Sequence, residues 1–358
     1  MLKRALKSLV AVVLIVSFMT TTAAFYYFWV AATPTFNPPR MVSIKKGDSV
    51  RAITEKLRAA GVVRNAVVAR VYAGLSGAAP RMQPGDYAFK GGERVPDVIK
   101  HLAHGDFIVV TVIVPEGLTV YQIAGKIQQA GLGCAIDFER AARDGPLVTA
   151  LGLTPLGAEG YLFPATYNFP PSARINTILG TMLERFFEVL TPRIEERMFK
   201  MGMTQRELVT MASIIEKEAK LATERPLIAG VLYNRLRLNM PLQSDPTAQY
   251  SYDGSTDSAL RAVHTPSAFN TYSFVGLPPG PIANPGLASI MAALYPAQTD
   301  FLYFVARDDG SHIFSRSLES HNRAIASLRK RSATPARSTA TMLARPAKQD
   351  KVASGRSN

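Results

Sequence analysis

Three patterns of apolar and polar positions organise this chain. The first is a run without charge from Ser8 to Thr33, dominated by Val, Leu, Ala and Phe. Its 26 residues exceed the roughly 20 that cross a bilayer as a helix. Lys3, Arg4 and Lys7 precede it, and Phe25, Tyr26, Tyr27, Phe28 and Trp29 cluster at its far end. A basic flank followed by an aromatic belt predicts a single-pass anchor with residues 1–7 in the cytoplasm and the rest exported. A cleaved signal peptide with Thr22-Ala23-Ala24 as its small-residue site is the competing reading. The length of the run and the placing of the aromatics favour the uncleaved anchor. Later apolar runs are short and interrupted, so no second span is predicted.

The second pattern is helical. Residues 34–40, with Pro34, Pro38 and Pro39, predict an extended, semi-rigid linker. A short strand from Val42 then enters a turn at Gly47, and Ser49 is placed to cap a helix over 50–60. Val50, Ile53, Leu57 and Ala60 form one apolar stripe along it. The same phrase returns 70 residues on: Gly47/Gly117, Ser49/Thr119, Val50/Val120, Ile53/Ile123, Leu57/Ile127 and Gly61/Gly131 match at one offset. An internal structural repeat is the expectation. Between the copies, Gly85–Phe89 reads as a strand and Val95–His104 as a helix.

The third pattern begins at Thr204-Gln205-Arg206-Glu207, a capping box that opens a strong helix running through Lys220. The helix breaks before Pro226 and resumes through Leu236. Residues 241–287 are rich in Pro, Gly, Asn, Ser and Thr, and predict long irregular connections of the kind that carry function. Residues 302–306 and 312–314 read as a hairpin across Arg307-Asp308-Asp309-Gly310. After Arg323 a short helix is expected to fade into a disordered basic tail.

Composition narrows the class. At 358 residues, 47% apolar and 19% charged, the chain is neither disordered nor polytopic, and two soluble domains are expected. The single Cys134 excludes a disulfide framework or a multi-cysteine zinc site. The net charge of +14 resides in the ends: residues 323–358 carry +8 and residues 1–7 carry +3, which leaves +3 for everything between. That distribution argues against nucleic acid as a partner. No phosphate-binding glycine loop occurs, and no cofactor is predicted.

Few residues are placed for chemistry. Two S-x-x-K matches, at Ser43 and Ser327, lack the companion motifs of a serine acyltransferase. His101 and His104 have no third ligand, and His264, His312 and His321 read as scattered surface residues, so no metal is predicted. The carboxylates say more. On a helical wheel from Leu208, an apolar centre gathers Met211, Ala212, Ile215, Ala219 and Ala222; Glu224 faces solvent and Glu216 falls to one side. Glu218 lies at the edge of the buried face, where partial desolvation raises a carboxyl pKa towards that of a general acid at neutral pH. An ordinary half-exposed helical Glu fits the same periodicity.

The surrounding motifs decide between these. Ala212-Ser213-Ile214-Ile215-Glu216-Lys217-Glu218, Asn234-Arg235-Leu236, Leu242-Gln243-Ser244-Asp245-Pro246-Thr247 and Asn270-Thr271-Tyr272 resemble the endolytic murein transglycosylase family. So do Glu159-Gly160-Tyr161-Leu162-Phe163-Pro164 upstream and Asn284-Pro285-Gly286 and Ser320-His321-Asn322 downstream, in order over roughly 41–322. The first repeat unit resembles a LysM-like module, a small βααβ fold that contacts N-acetylated sugars; a plain packing module is the alternative. One departure stands out: Ala165 occupies a place where the family usually has Asp.

The resemblance implies an α+β protein in which residues 1–7 are cytoplasmic and 8–33 form the anchor. The linker at 34–40, a LysM-like module at 41–106, a catalytic domain at 107–322 and the tail at 323–358 follow. It implies Glu218 as acid/base in cleavage of the N-acetylmuramic acid–N-acetylglucosamine bond of peptidoglycan, with a 1,6-anhydromuramoyl product. Gln243, Ser244, Asp245, Asn270, Thr271 and Tyr272 are its groove candidates. Glycan strands are the expected partner, peptidoglycan synthases are candidate partners, and the inner membrane is the expected location with the catalytic domain periplasmic. A hydrolytic muramidase, with Asp245 as second carboxylate, and a non-catalytic peptidoglycan-binding scaffold are the rivals.

Overall fold

The computed structural model describes residues 2–26, 33–153, 155–250 and 262–332. Helix α1 (Leu2–Phe25) covers the first part of the predicted span, and Leu9, Val12, Leu14 and Phe18 on it are exposed. Among the described residues no helix is long and apolar enough to cross a membrane. The predicted span continues through residues 27–32, which lie outside the described residues.

The segment that follows is not a spacer. Glu93 O accepts from Thr33 N at 3.3 Å, Thr33 O accepts from Gly92 N at 2.9 Å and Lys90 O accepts from Phe36 N at 2.6 Å. The Arg40 guanidinium lies 3.8 Å from the Phe36 ring. The predicted linker is thus docked against the body, because its backbone groups find partners in the 90–93 turn.

Two βααβ units come next. The first is β1 (Arg40–Ile44), α2 (Val50–Ala59), α3 (Ala66–Leu75) and β2 (Gly85–Phe89), followed by α4 (Val95–His104). The second is β3 (Val110–Val114), α5 (Val120–Gln129), α6 (Ala135–Asp144), a short α7 (Pro146–Ala150) and β4 (Ala165–Phe169). Each strand pair is antiparallel, with Val42 opposite Tyr87 in one and Val112 opposite Tyr167 in the other. Ala165 opens β4 opposite Val114.

The repeat extends to detail. Ser49 and Thr119 each cap their helix by accepting a backbone N–H at 3.2 Å. Gly47 and Gly117 turn with φ of 92° and 77°, in the left-handed region open to glycine. Tyr87 and Tyr167 each stack beside a buried Phe two residues on and donate their hydroxyl to the carbonyl four residues back.

Each unit has its own surroundings. The buried residues of the first, from Val42 to Leu102, form a separate core. Those of the second merge into a larger core that continues to Leu294. At its centre is α10 (Gln205–Glu218), preceded by α8 (Ile175–Val189) and α9 (Pro192–Lys200). Leu208 to Ile215 are all buried, so two turns of α10 are enclosed on every side. Helices α11 (Arg225–Arg237), α12 (Asp245–Tyr250) and α13 (Leu287–Leu294), the hairpin β5 (Tyr303–Ala306) and β6 (His312–Ser315), and α14 (Leu318–Ser332) complete the domain.

Several expectations are corrected. Helix α10 stops at Glu218: Ala219 is extended and Ala222–Glu224 is a separate 3-10 turn, so wheel positions past 218 do not lie on it. Glu224, placed in solvent by that wheel, accepts from His312 N at 3.0 Å and is 2.7 Å from its Nδ1; His312 is therefore buried, not a surface histidine. His321 stacks on Tyr303 at 5.3 Å. The boundary at 322/323 cuts through α14, and the remaining tail, residues 333–358, lies outside the described residues.

Candidate active site

Glu218 ends α10, where the chain leaves the helix and passes into the 3-10 turn. Some of its surface remains open, while its carboxyl is packed about with protein. Ser244 donates its hydroxyl to Glu218 Oε1 at 2.5 Å. Burial pushes the Glu218 pKa up to about 7, and the nearby Asp245 adds to the rise; the Ser244 hydroxyl and the Arg235 guanidinium pull against it.

The loop that brings Ser244 to Glu218 is itself held from behind. Gln243 has φ of 50°, a left-handed conformation uncommon for a residue with a side chain. Its N–H bonds Thr271 O at 3.2 Å. Ser244 N donates to Thr271 Oγ1 at 3.1 Å, and Thr271 Oγ1 is 2.8 Å from Thr247 Oγ1. Asn270 donates to the carbonyls of Ala262, Val263 and Thr265.

The six groove candidates therefore divide. Gln243, Asp245 and Tyr272 reach the surface, and Tyr272 donates to Asp245 Oδ1 at 2.5 Å. Asn270 and Thr271 are wholly buried and Ser244 nearly so. Asn270 and Thr271, read as sugar contacts, instead build the loop, because every polar atom they offer is turned inward.

Arg235 was not singled out by role, and it stands behind the whole arrangement. It is buried, with Nε on Leu302 O at 2.7 Å and Nη1 on Leu242 O at 2.8 Å and on Gln243 Oε1 at 3.2 Å. Its guanidinium lies 5.1 Å from the Tyr303 ring. Carbonyls bind this cation, so its charge remains available to the neighbouring Glu218. Its signal in the sequence is a cation on the buried stripe of Ile228, Val231 and Leu232.

Glu216 has a different task. It pairs with Arg225 at 2.9 Å and accepts from Gly286 N at 3.0 Å, a buried structural ion pair. Among the described residues no group of acidic, His or Cys side chains could hold a metal ion.

The chain belongs to the YceG-like family, whose model matches residues 42–327. It is similar to a protein of Bacillus subtilis (strain 168) named endolytic murein transglycosylase, 34% identical over 79% of this chain and 83% of the relative. A protein of the same name from Streptococcus pneumoniae serotype 2 (strain D39 / NCTC 7466) is 32% identical over 80% of this chain, which spans 57% of that relative. The crystal structure of a yceG-like protein from Listeria monocytogenes aligns with a TM-score of 0.55 at 30% identity, over 81% of this chain and all of that one.

Proposed function

We propose that this protein is a membrane-anchored lytic transglycosylase, a lyase that cuts peptidoglycan between N-acetylmuramic acid and N-acetylglucosamine. The observation that carries the reading is the carboxyl at the end of α10, Glu218, which keeps some open surface, has a pKa of about 7 and has one oxygen already engaged by Ser244. Near neutrality such a group is part acid and part base, as a residue that must give and then take a proton requires. The Ser244 bond to Oε1 leaves Oε2 to carry the proton.

Glu218 protonates the glycosidic oxygen, and the leaving sugar departs through an oxocarbenium-like state. The carboxylate so formed takes the proton from the muramoyl C6 hydroxyl, whose oxygen bonds to C1. The acid is restored and a 1,6-anhydromuramoyl end is released. The nucleophile belongs to the substrate, so no second catalytic carboxylate is needed. Gln243, Asp245 and Tyr272 line the approach as sugar contacts. Asp245 also supports a second reading, in which it directs water and the product is a reducing end.

Digestion of sacculi and mass spectrometry of the fragments separate these readings. The wild type is expected to yield anhydro ends, and Glu218→Gln to lose at least about a hundredfold in rate while remaining folded. Reducing ends would replace the lyase by a hydrolase. A Glu218→Gln variant within tenfold of wild type would remove Glu218 as the acid.

The anchor lies within residues 8–32, since Thr33 is docked on the first unit, and its exposed apolar side chains on α1 suit lipid; it would hold the enzyme on the inner membrane, facing the periplasm, beside nascent strands and their synthases. The first βααβ unit, LysM-like in outline, is proposed as a glycan contact. Exchanging residues 1–32 for a cleavable signal peptide keeps the docked Thr33 and should change glycan length in cells but not cleavage of purified strands. Unchanged glycan length would count against the anchor as a determinant of where cutting occurs.

A further inference from the structure

A second buried carboxyl lies outside the mechanism above. Glu159 is 7% exposed and faces only donors. Val120 N, at the start of α5, lies 3.2 and 3.1 Å from its two oxygens. Asn284 Nδ2 donates to Oε1 at 3.0 Å and the Tyr250 hydroxyl to Oε2 at 3.1 Å. No cation is among these partners. A carboxylate so placed costs stability, and burial pushes its pKa up to about 7 although each of these bonds pulls it down.

The fold does not need this group. In the two βααβ units Tyr87 and Phe89 correspond to Tyr167 and Phe169, and the residue eight before the tyrosine is Ala79 in the first unit and Glu159 in the second. That unit closes its strand pair and caps its helix with no acid at this place; its own buried acid, Asp86, sits on β2 and accepts from Ser172 N.

Glu159 instead joins the two halves of the active site. Tyr250 is the last residue of α12, and Ser244, which bonds Glu218, immediately precedes that helix. Asn284 leads through Pro285 to Gly286, whose N–H holds Glu216 on α10, two residues before Glu218. One carboxylate thus fixes both the hydroxyl partner of the acid and the helix that bears the acid. We propose that Glu159 is a positioning residue for the reaction, a buried clamp that sets the Ser244–Glu218 contact through Tyr250 and Asn284. This rests on the reading of Glu218 as the acid.

The test is a double-mutant cycle on the full-length protein with purified glycan strands. Glu159→Gln keeps the shape but turns an amide N–H2 towards donors, and is expected to lower the saturated rate about tenfold or more with KM within about twofold. In a Ser244→Ala background the same change should have little further effect, because a clamp acting through Ser244 has nothing left to set. If Glu159→Gln does not fold, Tyr250→Phe removes only the hydroxyl and should show the same loss and the same non-additivity. Losses that add fully in the Ser244→Ala background, or a rate within about twofold of wild type in both variants, would overturn the proposal. An active Glu218→Gln variant would instead refute the underlying reading, so the two failures are distinct.

Discussion

The two βααβ units have the same strands, turn glycine, hydroxyl cap and Tyr-x-Phe ending, yet only one is part of the active-site domain. The difference lies in the turn. In the first unit Asp48 closes the turn on itself: Oδ2 accepts from Lys45 N at 2.7 Å and pairs with Lys56 at 2.5 Å. In the second unit the matching residue is Leu118, which packs on the large core. Around it Gly117 N donates to Asn284 O, Asn284 N to Leu118 O, and Lys217 Nζ to Gly117 O. A turn that satisfies its own groups stays free, whereas one that leaves them open is absorbed into a neighbour. One motif thus yields a separate module and a buttress for the helix that ends in Glu218.

The strongest way to break that contrast is at Asn284, which is wholly buried. Asn284→Ala strands Leu162 N–H and takes one of two donors from Leu118 O, still held by Asn284 N, and from Glu159 Oε1, still held by Val120 N. The unpaired buried group costs about 1–3 kcal/mol and each of the two lost bonds about 0.5–1.5 more, so a loss of about 2–4 kcal/mol is expected in urea unfolding. Asp48→Ala in the first unit should cost only about 1 kcal/mol, since it removes one half-buried ion pair and one turn bond and strands nothing in a core. Equal losses would mean that docking is not what separates the units.

Next in size is what the buttress supports. Glu218 has a folded pKa of about 7 against 4.5 for a free glutamate side chain, so between these values the folded state holds the extra proton. Stability contributed by that proton is present below about 4.5 and is lost as pH rises through 7. Glu218→Gln removes the burden of the charge. The variant is expected to match wild type near pH 4.5 and to exceed it at pH 8 by about 1–3 kcal/mol, read as a higher Tm. A variant less stable than wild type at pH 8 would show that the site is not strained by its acid.

What could be read in the sequence follows the same division. Stripes, caps and glycine turns reported both first helices, because local geometry fixes them. Helices α3 and α6 escaped for different reasons: Ala66–Leu75 is apolar almost all round and shows no clear stripe, whereas Ala135–Asp144 has a helical stripe through Ala135, Phe138 and Ala142 that holds only one large apolar residue. Glu218 was legible from its place beside the buried face, and the family motifs singled it out. Arg235, Glu159 and the inward turn of Asn270 and Thr271 were not, because their partners are set by the tertiary fold: Leu302 for Arg235, Asn284 for Glu159, the carbonyls of Ala262, Val263 and Thr265 for Asn270, and Thr247 for Thr271. The end of α10 was also missed, since no glycine or proline stands at Ala219 to mark it.

The smallest effect sharpens the comparison by equality. Ser49 and Thr119 cap α2 and α5 with the same 3.2 Å bond, and both helices span ten residues. Replacing either by Ala should cost about 1 kcal/mol, the usual value of a lost N-cap. Thr119 has a reciprocal partner, since Gln122 Oε1 accepts from Thr119 N at 3.0 Å, and this bond survives the substitution. The second unit also shares its helix start with Glu159 at Val120 N, which continues to hold the N-terminus when the cap is gone. Thr119→Ala is therefore expected to cost no more than Ser49→Ala, by unfolding at matched pH, although Thr119 lies in the domain that does the chemistry. A Thr119→Ala loss more than about 1 kcal/mol above that of Ser49→Ala would show that docking extends into the cap itself, and the division between a shared local frame and a distinct turn would move one residue along the chain.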